Sequence, residues 1–138
     1  MTDNLTGLIW LKNANCFGTR KWADALTDCN TLANGTCDLT DRSVSGSWRL
    51  PNRSELLSLL DIAYFTPALS NNDGTGQWVT DSVATSSFKD DQSGFYWSST
   101  SRAADLGQVW SVHLGHGSVA PDVKMPTTLL VWPVRGGQ

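Results

Sequence analysis

The stretch Trp48-Arg49-Leu50-Pro51-Asn52-Arg53-Ser54-Glu55-Leu56-Leu57 predicts an extended segment that ends at a proline and is followed at once by a helix. Pro51 cannot donate a hydrogen bond to a strand ladder, and its ring favours an extended backbone at Leu50. Asn52 is a good N-cap, and the Glu55 side chain can reach back to the amide of Asn52. The helix is expected over about residues 53–63, with an apolar face made of Leu56, Leu57, Leu59, Leu60 and Ala63.

Outward from this hinge, helical patterns come early in the chain and strand patterns come late. A first helix is predicted over about residues 21–33, because Asn34-Gly35 ends an apolar helical pattern. Strand patterns cover about residues 8–11, 95–100, 108–114, 118–120 and 129–135. A long loop is expected over about residues 67–93. This order predicts an α+β fold with a small antiparallel sheet, in which the terminal strands can pair with each other.

Length and composition indicate one domain, over residues 1–138, with a tryptophan-rich core. The seven tryptophans are spread along the whole chain, which favours shared core and strand anchors over one aromatic binding box. The net charge of −3 and the pI of about 5.1 give no electrostatic reason to expect nucleic acid or an anionic membrane as a partner. No apolar run approaches the length of a membrane span, so no membrane insertion is expected. The first residues lack the pattern of a secretion leader, and we expect the chain to be part of a longer protein.

Three cysteines allow at most one intramolecular disulfide. Cys29 lies on the apolar face of the first predicted helix and is expected to be a small buried side chain. Cys16 and Cys37 lie in the loops before and after this helix. A bridge between them would contribute about 3 kcal/mol in the loop-entropy model and would indicate an oxidising compartment. Zinc binding fits less well, because no close Cys-x-x-Cys or histidine pair accompanies these cysteines.

Short motifs along nearly the whole chain resemble those of one bacterial domain family. They are Asp3-Asn4-Leu5-Thr6-Gly7-Leu8-Ile9-Trp10, Trp22-x-x-Ala25, Gly46-x-Trp48-Arg49-Leu50-Pro51-Asn52-x-x-Glu55-Leu56, Tyr96-Trp97-Ser98-Ser99-Thr100 and Val134-Arg135-Gly136-Gly137. Each motif alone is weak. Their order and spacing together resemble the domain named for the C-terminal part of the Legionella collagen-like protein.

This resemblance implies a C-type-lectin-like fold, with two helices, a small sheet, long loops, adjoining chain ends and a ligand surface on the later strands and loops. It also implies a secreted or surface protein of which the domain is one part, so an extracellular, cell-surface or periplasmic location is expected. In the family pattern, cysteines match Cys16 and Cys37, whereas a small residue usually stands at the position of Cys29. The resemblance therefore supports a disulfide between Cys16 and Cys37.

The segment from Arg49 to Glu55 also resembles its counterpart in formylglycine-generating enzymes, which share the lectin-like core. Those enzymes depend on a cysteine pair near the C-terminus. No cysteine follows Cys37 in this chain, so the enzymatic activity is not carried over.

The segment between the Trp97 strand and the last strand differs from many relatives, which have tyrosines and asparagines scattered through it. An apolar alternation is expected to face the core, namely Trp110, Val112, Leu114 and Val119, with the remaining side chains facing outward. This segment resembles the variable protein of a diversity-generating retroelement, in which part of a lectin-like fold is diversified for ligand binding. The candidate ligand contacts are Arg102, Asp105, Leu106, Gln108, Ser111, His113, His116, Ser118, Ala120 and Asp122.

The polar residues allow two alternative chemistries. His113 and His116 flank a predicted Gly-rich turn, and together with Asp122 they allow a metal or general-base site. Exposed polar side chains beside such a turn more often belong to a binding surface. Calcium is the second alternative, because loops of this kind can supply oxygen ligands, here from Asn71-Asn72-Asp73-Gly74 and Asp90-Asp91. Turn formation explains the same residues, and no other cofactor is expected.

The leading hypothesis is a non-enzymatic ligand-binding domain whose contact surface lies on the outward side of about residues 101–130. The expected ligand is an extracellular protein or glycan. Sulfated polysaccharides are disfavoured, because they need clustered Arg and Lys whereas this chain carries a net charge of −3. Two alternatives stay open: a structural or oligomerising cap of a surface fibre or adhesin, which would form a homo-oligomer, and an enzyme related to the formylglycine-generating family.

Overall fold

The computed structural model describes residues 1–71, 74–79 and 93–136, and these residues form an α+β fold, as the sequence predicts. The elements follow in the order β1 (Leu8–Trp10), β2 (Thr19–Lys21), α1 (Trp22–Thr31), α2 (Arg53–Ser58), β3 (Phe95–Arg102), β4 (Asp105–His113), β5 (Val119–Val123), β6 (Thr128–Leu130) and β7 (Val134–Gly136). The strand pattern over 129–135 forms two strands, β6 and β7, and the sequence analysis misses β2. Most of the long loop expected over about 67–93 lies outside the described residues.

The strands form two sheets. β1 and β7 pair antiparallel, with Trp10 opposite Val134, so the expected pairing of the terminal strands is confirmed. The larger sheet has the order β2-β6-β3-β4-β5. Its strand pairs are antiparallel except for β3 and β6, which are parallel. The sheet is therefore mixed rather than wholly antiparallel, because the chain crosses from the β5 edge back to the other side of β3.

The hinge before α2 has the capping geometry that the sequence predicts. The Asn52 side chain accepts a hydrogen bond from the Glu55 amide at 2.9 Å. The Glu55 carboxylate in turn accepts one from the Asn52 amide at 2.7 Å. These two bonds satisfy helix N-terminal donors that have no partner within the helix.

The end of α2 differs from the prediction. The helix ends at Ser58 rather than near residue 63, because the Asp61 amide donates to the carbonyl of Ala68 instead of to a helical carbonyl. Leu59 and Leu60 still pack against the core from outside the helix. Their apolar pattern therefore indicates burial but not helix length.

β3 and β4 are packed on both faces. On one face, Trp97 and Val109 belong to the cluster that includes Cys29 of α1. On the other face, Val112 belongs to the cluster that includes Leu56 of α2. We call these faces the α1 side and the α2 side. Because side chains alternate along a strand, neighbouring residues of β4 pack into different cores.

The expected alternation of core residues is therefore only partly correct. Val112 is fully buried as expected, but Val109 and Ser111 are fully buried too, because α1 covers the face that was expected to meet water. Trp110 is only half-buried. Val119 is 37% exposed, since β5 is an edge strand of the sheet.

The tryptophans act as core and strand anchors, as their spacing indicates, and Trp10 and Trp132 share one core with their ring centres 5.5 Å apart. Two of the buried indoles tie distant segments together: Trp97 donates to the carbonyl of Arg20 at 2.7 Å, and Trp132 donates to the carbonyl of Leu11 at 2.8 Å. Such bonds remove the cost of burying an indole N–H. The tryptophans that are at most 2% exposed are Trp10, Trp48, Trp78, Trp97 and Trp132.

Cys16 and Cys37 form a disulfide, with their Cα atoms 5.8 Å apart. The bridge closes the part of the chain that contains β2 and α1, as the family resemblance implies. Cys29 is free and fully buried. Burial raises the pKa of its thiol to about 12, and the nearby Asp28 carboxylate contributes to this rise.

The edge strand β5 contains a proline. The Lys124 amide donates to the carbonyl of Gly107 at 3.0 Å. Because the bonds of an antiparallel pair alternate along each strand, the backbone polar groups of Val119, Pro121 and Val123 point away from β4. Pro121 has no N–H, so it interrupts the row of donors at this edge.

Candidate ligand-binding surface

The β4–β5 hairpin carries most of the candidate contacts, and its register divides them between the two sides of the sheet. Trp110 lies opposite Pro121, and Ser111 lies opposite Ala120. Directly opposite residues share a face. The first pair is on the α2 side and the second is on the α1 side, so the candidates do not form one continuous surface.

On the α1 side, Ser111 is buried and its hydroxyl is used inside the protein. The hydroxyl lies 3.1 Å from the carbonyl oxygen of Ala120 and within hydrogen-bonding distance of the Asp122 carboxylate. The expectation that Ser111 faces outward is wrong, because Trp97 lies opposite it in β3 and packs with α1. Ala120 and Asp122 are half-buried beside it.

On the α2 side, candidates near the start of β4 remain accessible. Leu106 is 72% exposed. Arg102 donates from Nη1 to Oε1 of Gln108 at 2.6 Å, and both residues are half-buried. Asp105 is exposed at the hairpin tip and accepts a hydrogen bond from the Gly107 amide at 2.9 Å. The β3–β4 turn therefore places these four candidates close together.

Further residues that the sequence does not single out complete the α2 side. Val119 is 37% exposed and Val123 is 44% exposed, and Pro121 between them is exposed as well. Arg53, the first residue of α2, holds its guanidinium carbon 5.1 Å from the centre of the Trp110 ring. Apolar residues at every second position of a short strand, here Val119, Pro121 and Val123, indicate such a face. The prediction that Trp110 and Val119 belong to the core assigns these residues to the interior instead.

His113 and His116 lie together in the turn between β4 and β5. Their ring centres are 3.7 Å apart and their planes differ by 14°. The Gly115 amide donates to Nδ1 of His113 at 3.0 Å, which requires that nitrogen to be unprotonated. Burial lowers the pKa of His113, and the adjacent His116 lowers it further. The Ser118 hydroxyl lies 2.7 Å from Nδ1 of His116, so the three candidates of this turn are joined to one another.

Two phenyl rings flank the imidazole pair. Phe95 meets His113 edge to face, with ring centres 4.7 Å apart. Phe65 lies 6.1 Å from His116 and is 70% exposed. The turn therefore presents a row of four rings rather than separate polar side chains.

The metal alternative is not supported by this geometry, because the Asp122 carboxylate is hydrogen-bonded to Ser111 and is not grouped with His113 and His116. Within residues 1–71, 74–79 and 93–136, no group of three or more His, Cys, Asp or Glu side chains could hold a metal ion. The calcium alternative cannot be placed in the same way. Its residues Asn72, Asp73, Asp90 and Asp91 lie outside the described residues.

Two clefts lie away from the hairpin. One of about 310 Å³ is formed by residues 1–5, 58–59 and 69–71. The other, of about 250 Å³, is lined by residues 11–13 and 37–39, beside the disulfide. None of the candidate contacts lines either of these two clefts.

The family described as the Lcl C-terminal domain matches residues 1–135. The chain belongs to the Lcl C-terminal domain family. The resemblance shown by the short motifs is thereby confirmed. A search of curated proteins finds no match to this Lcl C-terminal domain.

Membership of the Lcl C-terminal domain family indicates the C-terminal domain of a surface protein. The Cys16–Cys37 disulfide is compatible with an extracellular or surface location. In the part of the chain that the structure describes, no helix has the length and the apolar character needed to cross a membrane.

Proposed function

We propose that this Lcl C-terminal domain is a non-enzymatic ligand-binding domain of a secreted or surface protein, with its contact surface in about residues 101–130. The proposal is based on the difference in exposure between buried and exposed side chains of the β4–β5 hairpin. Val109 and Val112 are fully buried, whereas Leu106 is 72% exposed and Val123 is 44% exposed. β4 is anchored on both faces and pairs with β5 along five residues, which holds the exposed side chains of the hairpin in place and lowers the entropy lost on binding.

The chemistry of the hairpin supports binding rather than catalysis. The Ser111 hydroxyl is buried against Ala120 and Asp122, so it is not available to a substrate. Nδ1 of His113 accepts a backbone hydrogen bond and is not free to take a proton from a nucleophile. The ligand is an extracellular protein or glycan, and the formylglycine-generating reaction is disfavoured because no cysteine follows Cys37.

The same contrast supports a surface that tolerates diversification, as in the variable proteins of diversity-generating retroelements. Exposed positions such as Leu106, Val119 and Val123 can change while both cores stay intact. The test is the neighbouring DNA. A reverse transcriptase gene beside a near-identical copy of the segment for about residues 95–138, differing at adenine positions, supports diversification. A neighbourhood without that copy removes diversification from the proposal.

A binding experiment tests the surface itself. The domain is screened on arrays of extracellular proteins and glycans, next to a variant with Leu106→Ser, Val119→Ser and Val123→Ser. The matched control carries Val44→Ser and Ile62→Ser, which are exposed elsewhere. We expect the hairpin variant to lose at least about tenfold in affinity and the control to stay within about twofold. Ligands that bind both variants equally would overturn the proposed surface.

One observation also favours the structural-cap alternative: the exposed apolar side chains of the hairpin are suited to self-association of the domain. Light scattering of the domain without ligand separates the two functions. A monomer supports ligand display. A stable oligomer that dissociates in the hairpin variant supports the cap.

A further inference from the structure

We propose that the α2 side of the β4–β5 hairpin is a protein-docking face for a partner segment that carries a carboxylate between apolar side chains. The inference rests on the proposed function and names the partner class for part of that surface. The docking face consists of Leu106, Trp110, Val119, Pro121 and Val123, framed by Arg53 and Arg102.

Three exposed apolar side chains lie on this face. Leu106 is 72%, Val119 37% and Val123 44% exposed. Val119 lies opposite the fully buried Val112, so the apolar face begins at the α2-side core and runs outward along β5, with Gln108 opposite Val123 as its polar neighbour. Contiguous exposed apolar surface with a polar rim is typical of protein interfaces.

The centre of the face has the residue types that dominate binding energy at protein interfaces. The Arg53 guanidinium carbon lies 5.1 Å from the centre of the Trp110 ring, and tryptophan and arginine are the residues most enriched at such centres. Arg53 opens a capped helix and Trp110 sits in an anchored strand. Both side chains are therefore largely ordered before a partner arrives, which reduces the entropy cost of docking.

The charges of the face select the partner. Three arginines outside this face form ion pairs: Arg20 with Asp28 at 2.8 Å, Arg49 with Glu55 at 2.6 Å and Arg135 with Asp41 at 3.2 Å. Among the described residues, no carboxylate pairs with Arg53 or Arg102.

Asp105 lies opposite Arg102 in the strand register, yet its carboxylate accepts from the Gly107 amide. Within residues 1–71, 74–79 and 93–136, Arg53 and Arg102 thus have no matching anion, in a chain whose net charge is −3. Guanidinium groups bind carboxylates through paired hydrogen bonds. An acidic partner segment completes this face, whereas a neutral glycan leaves both charges unmatched.

Pro121 decides the mode of docking. Partners that extend a sheet need a continuous row of backbone donors and acceptors at its edge. The outward row of β5 lacks a donor at Pro121. The partner therefore lies across the side chains of the face and does not add a strand to the edge.

The experiment uses peptides selected from a random twelve-residue display library on the immobilised domain, with affinities measured by fluorescence anisotropy. We expect the selected peptides to contain Asp or Glu beside aromatic or aliphatic residues. Arg53→Gln and Val123→Ser should each weaken binding at least about tenfold. The matched controls Arg42→Gln and Val44→Ser, exposed residues outside the hairpin, should change it less than about twofold. Near-ultraviolet circular dichroism verifies that each variant is folded.

Two results would overturn the inference. One is a selected set without acidic residues, or with affinities that Arg53→Gln and Val123→Ser leave unchanged. The other is an array ligand whose binding depends on His116 and Ser118 but not on Arg53 or Val123. In the second case the proposed function stands and the docking face falls, so the two failures are distinguishable.

Discussion

Arg49 and Glu55, on either side of Pro51 in the sequence, form a bidentate ion pair. Nη1 and Nη2 of the guanidinium donate to the two carboxylate oxygens at 2.8 and 2.6 Å. Nη2 also donates to the carbonyl of Gly136 at 3.0 Å. The pair therefore connects the start of α2 to the terminal strand β7. Planar paired geometry of this kind is stronger than a single contact between charges.

The first prediction concerns the acid stability of this pair. Burial opposes ionisation of Glu55, but hydrogen bonds from Arg49 and from the Asn52 amide outweigh it, so the pKa of Glu55 is lowered. A lowered pKa in the folded state gives stabilisation that is present above the unfolded pKa and is lost as the pH falls through the folded one. Glu55→Gln should lower the free energy of unfolding at pH 7 by about 1–3 kcal/mol and flatten its decline below about pH 4.5. Urea titrations between pH 3 and 7 measure both effects.

The control for Glu55 is Asp24→Asn, which removes an exposed acid in the first turn of α1. Its effect should stay within about 0.5 kcal/mol. If the free energy of unfolding declined equally below about pH 4.5 in the wild type and in Glu55→Gln, the ion pair would not contribute to the pH dependence.

The second prediction concerns the disulfide. Cys16 and Cys37 are separated by 21 residues, and a loop of this length corresponds to about 3 kcal/mol of stabilisation in the chain-entropy model. The double variant Cys16→Ser/Cys37→Ser should lose about that amount in chemical unfolding. Reduction of the wild type should reproduce the loss, and an unchanged midpoint in both cases would exclude a stabilising role.

The third prediction concerns the free cysteine. Cys29 is fully buried, and burial raises the pKa of its thiol to about 12. Because the thiolate is the reactive form, the folded protein should not react with iodoacetamide at pH 8, whereas the unfolded protein should react at one site. Mass spectrometry counts the adducts. Rapid labelling of the folded protein would contradict the burial of this side chain.

The fourth prediction concerns the histidine pair. The pKa of His113 is lowered by burial and by His116, so the unfolded chain binds a proton more readily than the folded one. The stabilisation is complete above the ordinary histidine pKa of about 6.5 and is lost as the pH falls through the folded pKa. The melting temperature of the wild type should therefore fall more steeply from pH 7.5 to 5 than that of His113→Gln. Parallel profiles would contradict this role of the turn.

The fifth prediction separates the two environments of the hairpin. Val112 is fully buried and Val123 is 44% exposed. Val112→Ala should lower the free energy of unfolding by about 2 kcal/mol, whereas Val123→Ala should change it by less than about 0.5 kcal/mol. Denaturant titration of the two variants gives the comparison. Similar losses in both would mean that β5 is packed more closely than its exposure indicates.

The start of α2 could be read from the sequence because its determinants are local. Pro51, Asn52 and Glu55 act through bonds between residues no more than three apart in the chain. The helix end could not be read, since it depends on the distant carbonyl of Ala68. The cysteine pairing needed the family resemblance, because three cysteines alone leave the choice open.

The candidate surface could be read only in part, for the same physical reason. His113, His116 and Ser118 are close in sequence, and the turn brings them together. The burial of Ser111 depends on α1, and the position of Trp110 depends on Arg53. Neither contact can be predicted from the sequence of β4 alone. Strand periodicity indicates which residues share a face of the sheet, but not which element packs on that face.

Pro121 also affects how copies of the domain behave when they stand side by side. An edge strand with an unbroken row of donors can join the same strand of a neighbouring molecule. Pro121 breaks that row, and the opposite edge, β2, has only three residues, including Arg20 and Lys21. Copies of the domain that are held side by side at effective concentrations of about millimolar therefore meet no long unbroken donor row at either edge of the larger sheet.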